Sequence, residues 1–260
     1  MQVGWVGLGE IGKHMALQVA GAGHSLTSYD RGAGKDEVAA AGARLSRDYG
    51  EIARDAQVVC LCLFSDAQVR EVMFAGGMLA AMQPGAVLAI HTTGSPVLAR
   101  ELGEKAPTGV AVLDACFSGG AAEAVNGELT LMVGGEAAAL DLARPVLSTY
   151  ASRINHMGPL GSGQTAKLLN NLLFATNIMQ GARVFDMAKA QGLDPGLTAS
   201  VICQSSGGSM AMGLFRSASP DQMLGAARHY MVKDVKAAAE AARDAGLDIS
   251  TFQPTIDFFS

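Results

Sequence analysis

A short apolar run, Val3-Gly4-Trp5-Val6, leads straight into Gly7-Leu8-Gly9-Glu10-Ile11-Gly12 and then into a helical pattern from His14 to Ala22. Few folds accept Gly-x-Gly-x-x-Gly between a strand and a helix, because each glycine meets a different steric demand. Gly7 permits the tight turn, Gly9 lets the backbone approach a pyrophosphate, and Gly12 allows the helix to pack closely on the strand. Phosphates then lie on the helix N-terminus, where unpaired N–H groups and the dipole favour negative charge. With 32 glycines in the chain the spacing also arises by chance, so the motif gains its weight from the residues downstream of it. Ser25 to Asp30 reads as a second strand ending in an acid at the spacing of a ribose-binding carboxylate. Asp30 can accept from both hydroxyls of an adenosine ribose and repels a 2′-phosphate. Arg31 beside it can instead pair with that phosphate and stack on adenine. The acid nearest the ribose favours NAD and leaves NADP open; a solvated Asp-Arg turn is the plain structural alternative.

Further strands and helices alternate as far as Met157. Gln57 to Phe64 is a continuous apolar run of the kind buried in a parallel sheet, and Asp66 is expected to cap the helix after it. Strand C-termini face the ligand crevice of such sheets, which brings Leu63 and Phe64 near a cofactor, although plain core accounts for them equally well. Ala86 to Ile90 is followed by His91-Thr92-Thr93-Gly94-Ser95-Pro96, with Ser95 as N-cap and Pro96 at the first helical position. Thr93 can offer a hydroxyl to a nicotinamide; a local turn role is simpler. His91, a lone histidine, is expected to be structural. Val110 to Phe117 runs into Ser118-Gly119-Gly120, where backbone N–H groups and a hydroxyl can converge on a carboxylate, or form only a glycine-rich turn. Strands at Leu129 to Val133 and Arg153 to Met157 flank a helix at Ala137 to Leu147. The pattern implies an α/β domain with a doubly wound parallel sheet.

From Gly163 to Gln191 the pattern is helical, and further helices follow at Gly196 to Cys203, from about Ser209, and at Tyr230 to Ala245. The expected organisation is a dinucleotide-binding domain over residues 1–160 and an all-helical substrate and dimerisation domain over 161–260, built on one long helix. Near the start of that helix Lys167 and Asn171 stand one turn apart among Leu168, Leu169, Leu172, Leu173 and Phe174. A charge and an amide in that setting need partners or a ligand, unless the lysine snorkels to solvent. Lys233, in the largely apolar Tyr230-Met231-Val232-Lys233-Asp234-Val235, can pair with Asp234 or a nearby surface acid, or face a cofactor.

Composition excludes other classes. The net charge is −5 with no basic cluster, so neither a nucleic acid nor an anionic membrane is an expected partner. Of the four cysteines, Cys60 and Cys62 alternate within one apolar run, a spacing that suits neither a zinc knuckle nor a redox pair, so they are expected to be reduced, buried and inert. The strand-turn-helix pattern begins within ten residues, leaving no room for a leader, and no run spans a bilayer. A cytoplasmic protein is expected.

These motifs together resemble the β-hydroxyacid dehydrogenase family, which includes 3-hydroxyisobutyrate dehydrogenase and tartronate semialdehyde reductase. Four segments carry the resemblance in family order: Gly7 to Gly12; Asp114 to Gly120, similar to Asp-x-Pro-Val-Ser-Gly-Gly; Gly161 to Asn171, as Gly-x-Gly-x-x-x-Lys-x-x-x-Asn; and Lys233-Asp234. The resemblance implies that Lys167 is the catalytic lysine, that Asn171 and Ser118-Gly119-Gly120 hold a small carboxylate-bearing substrate, and that Thr93 and Lys233 approach the nicotinamide. It implies NAD(P), a homodimer, and hydride transfer to or from a small 3-hydroxy acid or its semialdehyde. The chemistry agrees, since an ammonium can stabilise the alkoxide formed by hydride addition and deliver its proton.

The chain departs from the pattern at Cys116 and Phe117, where the family has proline and valine, at Phe64, where proline is usual, and at His91, where an acid is common. It ends at Ser260, short of the family's last helix on this reading. The alternative is a nucleotide-binding or interaction protein of the same fold that has lost catalysis. Imine reduction and phosphosugar oxidation fit less well, given Lys167 and the lack of clustered basic residues.

Overall fold

The computed structural model describes residues 1–260, the side chain of His229 excepted. By internal contacts the chain divides into two compact units, Met1–Lys167 and Leu168–Ser260.

The first unit runs β1 (Gln2–Val6), α1 (Gly12–Gly21), β2 (Ser25–Tyr29), α2 (Lys35–Ala40), β3 (Arg44–Ser46), α3 (Tyr49–Arg54), β4 (Val58–Leu61) and α4 (Asp66–Arg70), which passes into a π-helical turn at Glu71–Ala75. It continues with α5 (Met78–Ala81), β5 (Val87–Ile90), α6 (Pro96–Lys105), β6 (Ala111–Ser118), α7 (Ala121–Val125), β7 (Leu129–Gly134), α8 (Ala137–Leu147), β8 (Ala151–Gly158) and the start of α9 (Ser162–Ala190). The eight strands form one sheet in the order β3-β2-β1-β4-β5-β6-β7-β8. The first six follow the doubly wound dinucleotide-binding order, which reverses between β1 and β4.

Central strands are apolar throughout because both faces are covered. In β4, Val58 and Cys60 join one core with Trp5, Met15, Val87 and Leu113, while Val59 and Leu61 join the other with Ile52, Val69, Leu88 and Leu102. Alternate residues of a strand point to opposite faces, so one four-residue strand feeds both cores.

Several details differ from the expectations. The sheet is not wholly parallel, because β6 pairs antiparallel with β7; the short connection over residues 119–128, through α7, turns the chain back rather than crossing over. The short edge strand β3 was not expected. β4 ends at Leu61, and the chain leaves the sheet before Phe64. The cap of α4 is Ser65, whose hydroxyl accepts from the Gln68 N–H, while Asp66 accepts from the Ser95 N–H at 3.0 Å. Ser95 caps α6 with Pro96 behind it, as expected.

The second unit holds the rest of α9, then α10 (Pro195–Cys203), α11 (Met210–Leu214), α12 (Pro220–Asp244) and α13 (Gln253–Phe258), with a 3-10 turn at Ser250–Phe252. Leu168, Leu172, Ala175, Ile178 and Ala182 recur at helical spacing along α9 and pack with Phe215, Val235, Ala239 and Phe259. Each large side chain so buried contributes about 1.5–3 kcal/mol. α12 begins ten residues before Tyr230 because Ser219 and Gln222 form a reciprocal capping box with Pro220 between them. Lys233 therefore stands in mid-helix. Among the described residues no helix is long and apolar enough to cross a membrane.

Candidate active site

The glycine turn after β1 is built as its spacing demands. Gly7 has φ +111°, and a Cβ there would lie 2.1 Å from the Cys62 carbonyl oxygen. A Cβ on Gly12 would lie 2.2 Å from the Gly7 oxygen, so the helix rests on the turn itself. At Gly9 nothing lies within 4 Å of where a Cβ would be. No side chain caps α1 and no acid stands in its first turn. An uncapped helix N-terminus beside an open glycine fits the pyrophosphate of a dinucleotide.

The adjoining crevice has a volume of about 300 Å³ and is lined by Gly7, Leu8, Gly9, Arg31, Leu63 and Phe64 among others. Phe64 is 55% exposed there, a position the core reading does not explain. Glu10, Ile11, Gly12 and Asp30 lie beside the crevice without lining it. The wall also contains Tyr29 and Tyr49, stacked at 4.4 Å between ring centroids, and Gln68, Glu71 and Val72 around the start of the π-helical turn. Sequence reasoning missed these residues: Tyr29 and Tyr49 meet only when β2 and α3 pack, while no local pattern announces the π turn.

Asp30 is engaged within the protein. Its Oδ1 accepts from Lys35 Nζ at 3.2 Å and its Oδ2 from Arg47 Nε at 2.8 Å. Arg47, then Lys35, hold its carboxyl below the usual range. The loop after Asp30 is fixed to the glycine turn, since the Gly34 N–H donates to the Leu8 oxygen at 3.2 Å.

Asp114, on β6, is fully buried and reaches the start of α9. Its Oδ1 accepts from the Gly161 N–H at 2.8 Å and its Oδ2 from the Gln164 N–H at 2.6 Å. It is an N-cap supplied from a distant strand. Burial pushes its carboxyl up, and the backbone N–H groups of Gly161 and Gln164 oppose that shift. Gly163 lies so close to β6 and β7 that a Cβ would come 2.4 Å from the Asp114 oxygen and 2.5 Å from the Met132 oxygen. The second Gly-x-Gly thus seats a helix against the sheet. Lys167, half-buried, lies one turn further along.

Ser118 ends the same strand, β6, and Gly119 follows with φ +123°. The nest is partly taken: the Gly120 N–H donates to Glu123 Oε2 at 2.8 Å, which holds the Glu123 carboxyl below its usual range. Thr93 lies in the loop between β5 and α6, half-buried.

His91 is structural. Its Nδ1 donates to the Ala115 carbonyl at 2.7 Å, so its Nε2 accepts from the Tyr150 hydroxyl at 3.0 Å. Trp5 stacks on it. Burial pulls its pKa down to about 4 and keeps it neutral. Burial likewise pushes the Cys60 and Cys62 thiols up to about 12, and all four cysteines are free.

In the second unit, Asn171 is buried and its Nδ2 donates to Asp234 Oδ2 at 2.6 Å, while Lys233 Nζ donates to Asp234 Oδ1 at 2.7 Å. Asn170 Nδ2 donates to Asn171 Oδ1 at 3.0 Å. Asp234 gathers the two residues singled out in this unit, one from α9 and one from α12.

A doubly wound sheet with a glycine turn fitted to a pyrophosphate defines a dinucleotide-binding protein. Residues 2–158 match the NAD-binding domain of 6-phosphogluconate dehydrogenase, and residues 161–257 match the NAD-binding domain of NADP-dependent 3-hydroxyisobutyrate dehydrogenase. An NAD-dependent L-serine dehydrogenase of Pseudomonas aeruginosa is 35% identical over 254 residues, covering 93% of this chain and 85% of that protein. A probable 3-hydroxyisobutyrate dehydrogenase-like protein of Arabidopsis thaliana is 32% identical over 246 residues, covering 93% of this chain and 82% of that one. The solved structure of Mycobacterium tuberculosis 3-hydroxyisobutyrate dehydrogenase with L-serine superposes with a TM-score of 0.86 at 29% identity, covering 99% of this chain and 91% of that one. The chain belongs to the β-hydroxyacid dehydrogenase family and is an NAD(P)-dependent hydroxyacid dehydrogenase.

Proposed function

We propose that the protein oxidises a small 3-hydroxy acid to its semialdehyde, or runs the reverse reduction, with Lys167 as the proton-transfer residue. One observation carries this reading: β6 ends in Ser118 and also holds Asp114, which pins the first turn of the helix bearing Lys167. A single strand thereby sets both the loop suited to a carboxylate and the lysine. Ser118, Gly119 and Asn171 hold the substrate; Gly120 joins them once Glu123 releases its N–H. Thr93 and Lys233 serve the nicotinamide end.

When bound, the cofactor supplies the hydride acceptor or donor. In oxidation the neutral amine of Lys167 takes the hydroxyl proton as the carbinol carbon loses hydride; in reduction the ammonium returns that proton to the developing alkoxide. Relatives named for L-serine and for 3-hydroxyisobutyrate both point to a carboxylate one carbon from the carbinol carbon.

NAD is the preferred cofactor on this reading. Asp30 disfavours a 2′-phosphate, but Arg47 and Lys35 already neutralise it, so the discrimination is shallow. The protein is a homodimer of the cytoplasm; Leu169 and Leu173 on α9, 62% and 55% exposed, supply apolar surface for a second copy.

Turnover of L-serine and 3-hydroxyisobutyrate with NAD⁺ and NADP⁺ tests the reading, alongside cofactor titration by fluorescence. Lys167→Ala is expected to abolish turnover and to leave cofactor Kd unchanged. Activity equal to that of the native enzyme would remove the lysine from the mechanism. Light scattering that finds a monomer removes the dimer.

A further inference from the structure

Gln164 is one turn before Lys167 on α9, and only 2% of it is exposed. Its side-chain amide is committed at both ends to the loop between β5 and α6. Nε2 donates to the Thr92 carbonyl at 2.8 Å, and Oε1 accepts from the Gly94 N–H at 2.8 Å. The two bonds close on either side of Thr93, as the N–H and C=O of a single residue do on a neighbouring strand in a parallel ladder. The same residue's backbone N–H is held by Asp114.

The loop is tied down from two further directions. Thr92 Oγ1 accepts from the Leu63 N–H at 2.8 Å, which joins the loop to a wall of the dinucleotide crevice. Asp66 accepts from the Ser95 N–H. An unbroken run of hydrogen bonds therefore leads from Leu63 through Thr92 and Gln164 to the helix of Lys167, all inside the first unit.

We propose that Gln164 is a positioning residue for hydride and proton transfer, an amide clamp that sets Thr93 against the nicotinamide and keeps it in register with Lys167. The inference rests on the roles proposed for Thr93 and Lys167. Only a group with one donor and one acceptor at this reach satisfies both backbone partners. Asparagine is a methylene too short, alanine leaves a buried N–H and C=O unpaired, and an ionised glutamate sets a second acceptor, in place of the donor, against the Thr92 carbonyl. Remote misplacement of the reacting groups costs rate far more than it costs binding.

The test compares native enzyme, Gln164→Ala and Gln164→Glu. In Gln164→Ala, kcat is expected to fall between about ten- and a hundredfold while cofactor Kd stays within about twofold. The primary isotope effect with cofactor deuterated at the transferred position is expected to rise as hydride transfer becomes rate-limiting. Gln164→Glu is expected to regain activity relative to native enzyme as pH falls, because the neutral carboxylic acid again offers a donor and an acceptor. Amide hydrogen exchange at Gly94, measured without substrate, is expected to quicken in the alanine variant.

Unchanged kcat and isotope effect in folded Gln164→Ala overturns the proposal, as does unchanged Gly94 exchange in that variant. A Glu variant whose activity relative to native enzyme does not vary with pH overturns it as well. Should the native enzyme turn over no 3-hydroxy acid, the functional reading fails, and Gly94 exchange still decides whether the clamp exists.

Discussion

Asn171 donates to Asp234 across 63 positions of chain, at 2.6 Å and out of solvent. The bond fixes which end of the amide is the donor, and Asn170 on the other side secures the oxygen. Hydrogen bonds to a buried charge contribute about 1.5–3 kcal/mol each, and removing one partner leaves the other exposed to the full desolvation penalty. Asp234→Asn turns one acceptor into a donor facing Asn171 or Lys233. We expect the unfolding free energy in urea to drop by about 1–3 kcal/mol and KM for the hydroxy acid to rise more than Kd for the cofactor. An unchanged urea midpoint would show that the carboxylate organises neither neighbour.

The glycine turn separates fold from ligand. Gly7→Ala places a Cβ 2.1 Å from a backbone oxygen at φ +111°, so stability should fall by at least about 1–2 kcal/mol from backbone conformation alone. Gly9→Ala meets nothing within 4 Å. Its urea midpoint should match the native one to within about 0.5 kcal/mol, while cofactor Kd rises by about tenfold or more, equivalent to about 1.4 kcal/mol. Calorimetric titration beside urea melts reads both. Native cofactor affinity in Gly9→Ala would place the pyrophosphate elsewhere.

His91 predicts an acid limb of stability. Its pKa is about 4 in the folded protein against 6.5 ordinarily. Between those values the unfolded chain binds a proton that the folded chain refuses, so stability is complete above pH 6.5 and is lost as pH falls toward 4. The loss amounts to about 3 kcal/mol. His91→Gln does not titrate, so the stability gap between native protein and variant should narrow over that window. A gap independent of pH in urea melts at about pH 7 and about pH 4.5 would contradict the buried neutral imidazole.

Much of the fold and the glycine turn was legible because both are written in local chemistry. Gly7 to Gly12, the Ser95-Pro96 cap and the α8 boundaries each depend on residues a few positions apart. Other parts were not. Ser65 and Asp66 are both capable of capping α4, and what separates them is the Ser95 N–H that claims Asp66. Glu123 was invisible as a competitor for the Ser118–Gly120 loop until its carboxylate met the Gly120 N–H. Asp30 kept its expected place at the end of β2, yet its two cations, Lys35 and Arg47, could not be assigned from spacing.

By itself the sequence determined a doubly wound sheet followed by helices, a dinucleotide turn, and a lysine and asparagine one helical turn apart. Periodicity and turn chemistry act over one or two turns of chain, where neighbours are known in advance. Tertiary structure alone decided the reversal at β7, the capping of α9 by Asp114 from 47 and 50 positions away, the Gln164 clamp over 70 and 72 positions, and the partner of Asn171. A buried polar atom takes whichever partner the folded chain brings within about 3 Å, and that choice exists only after the strands and helices have packed.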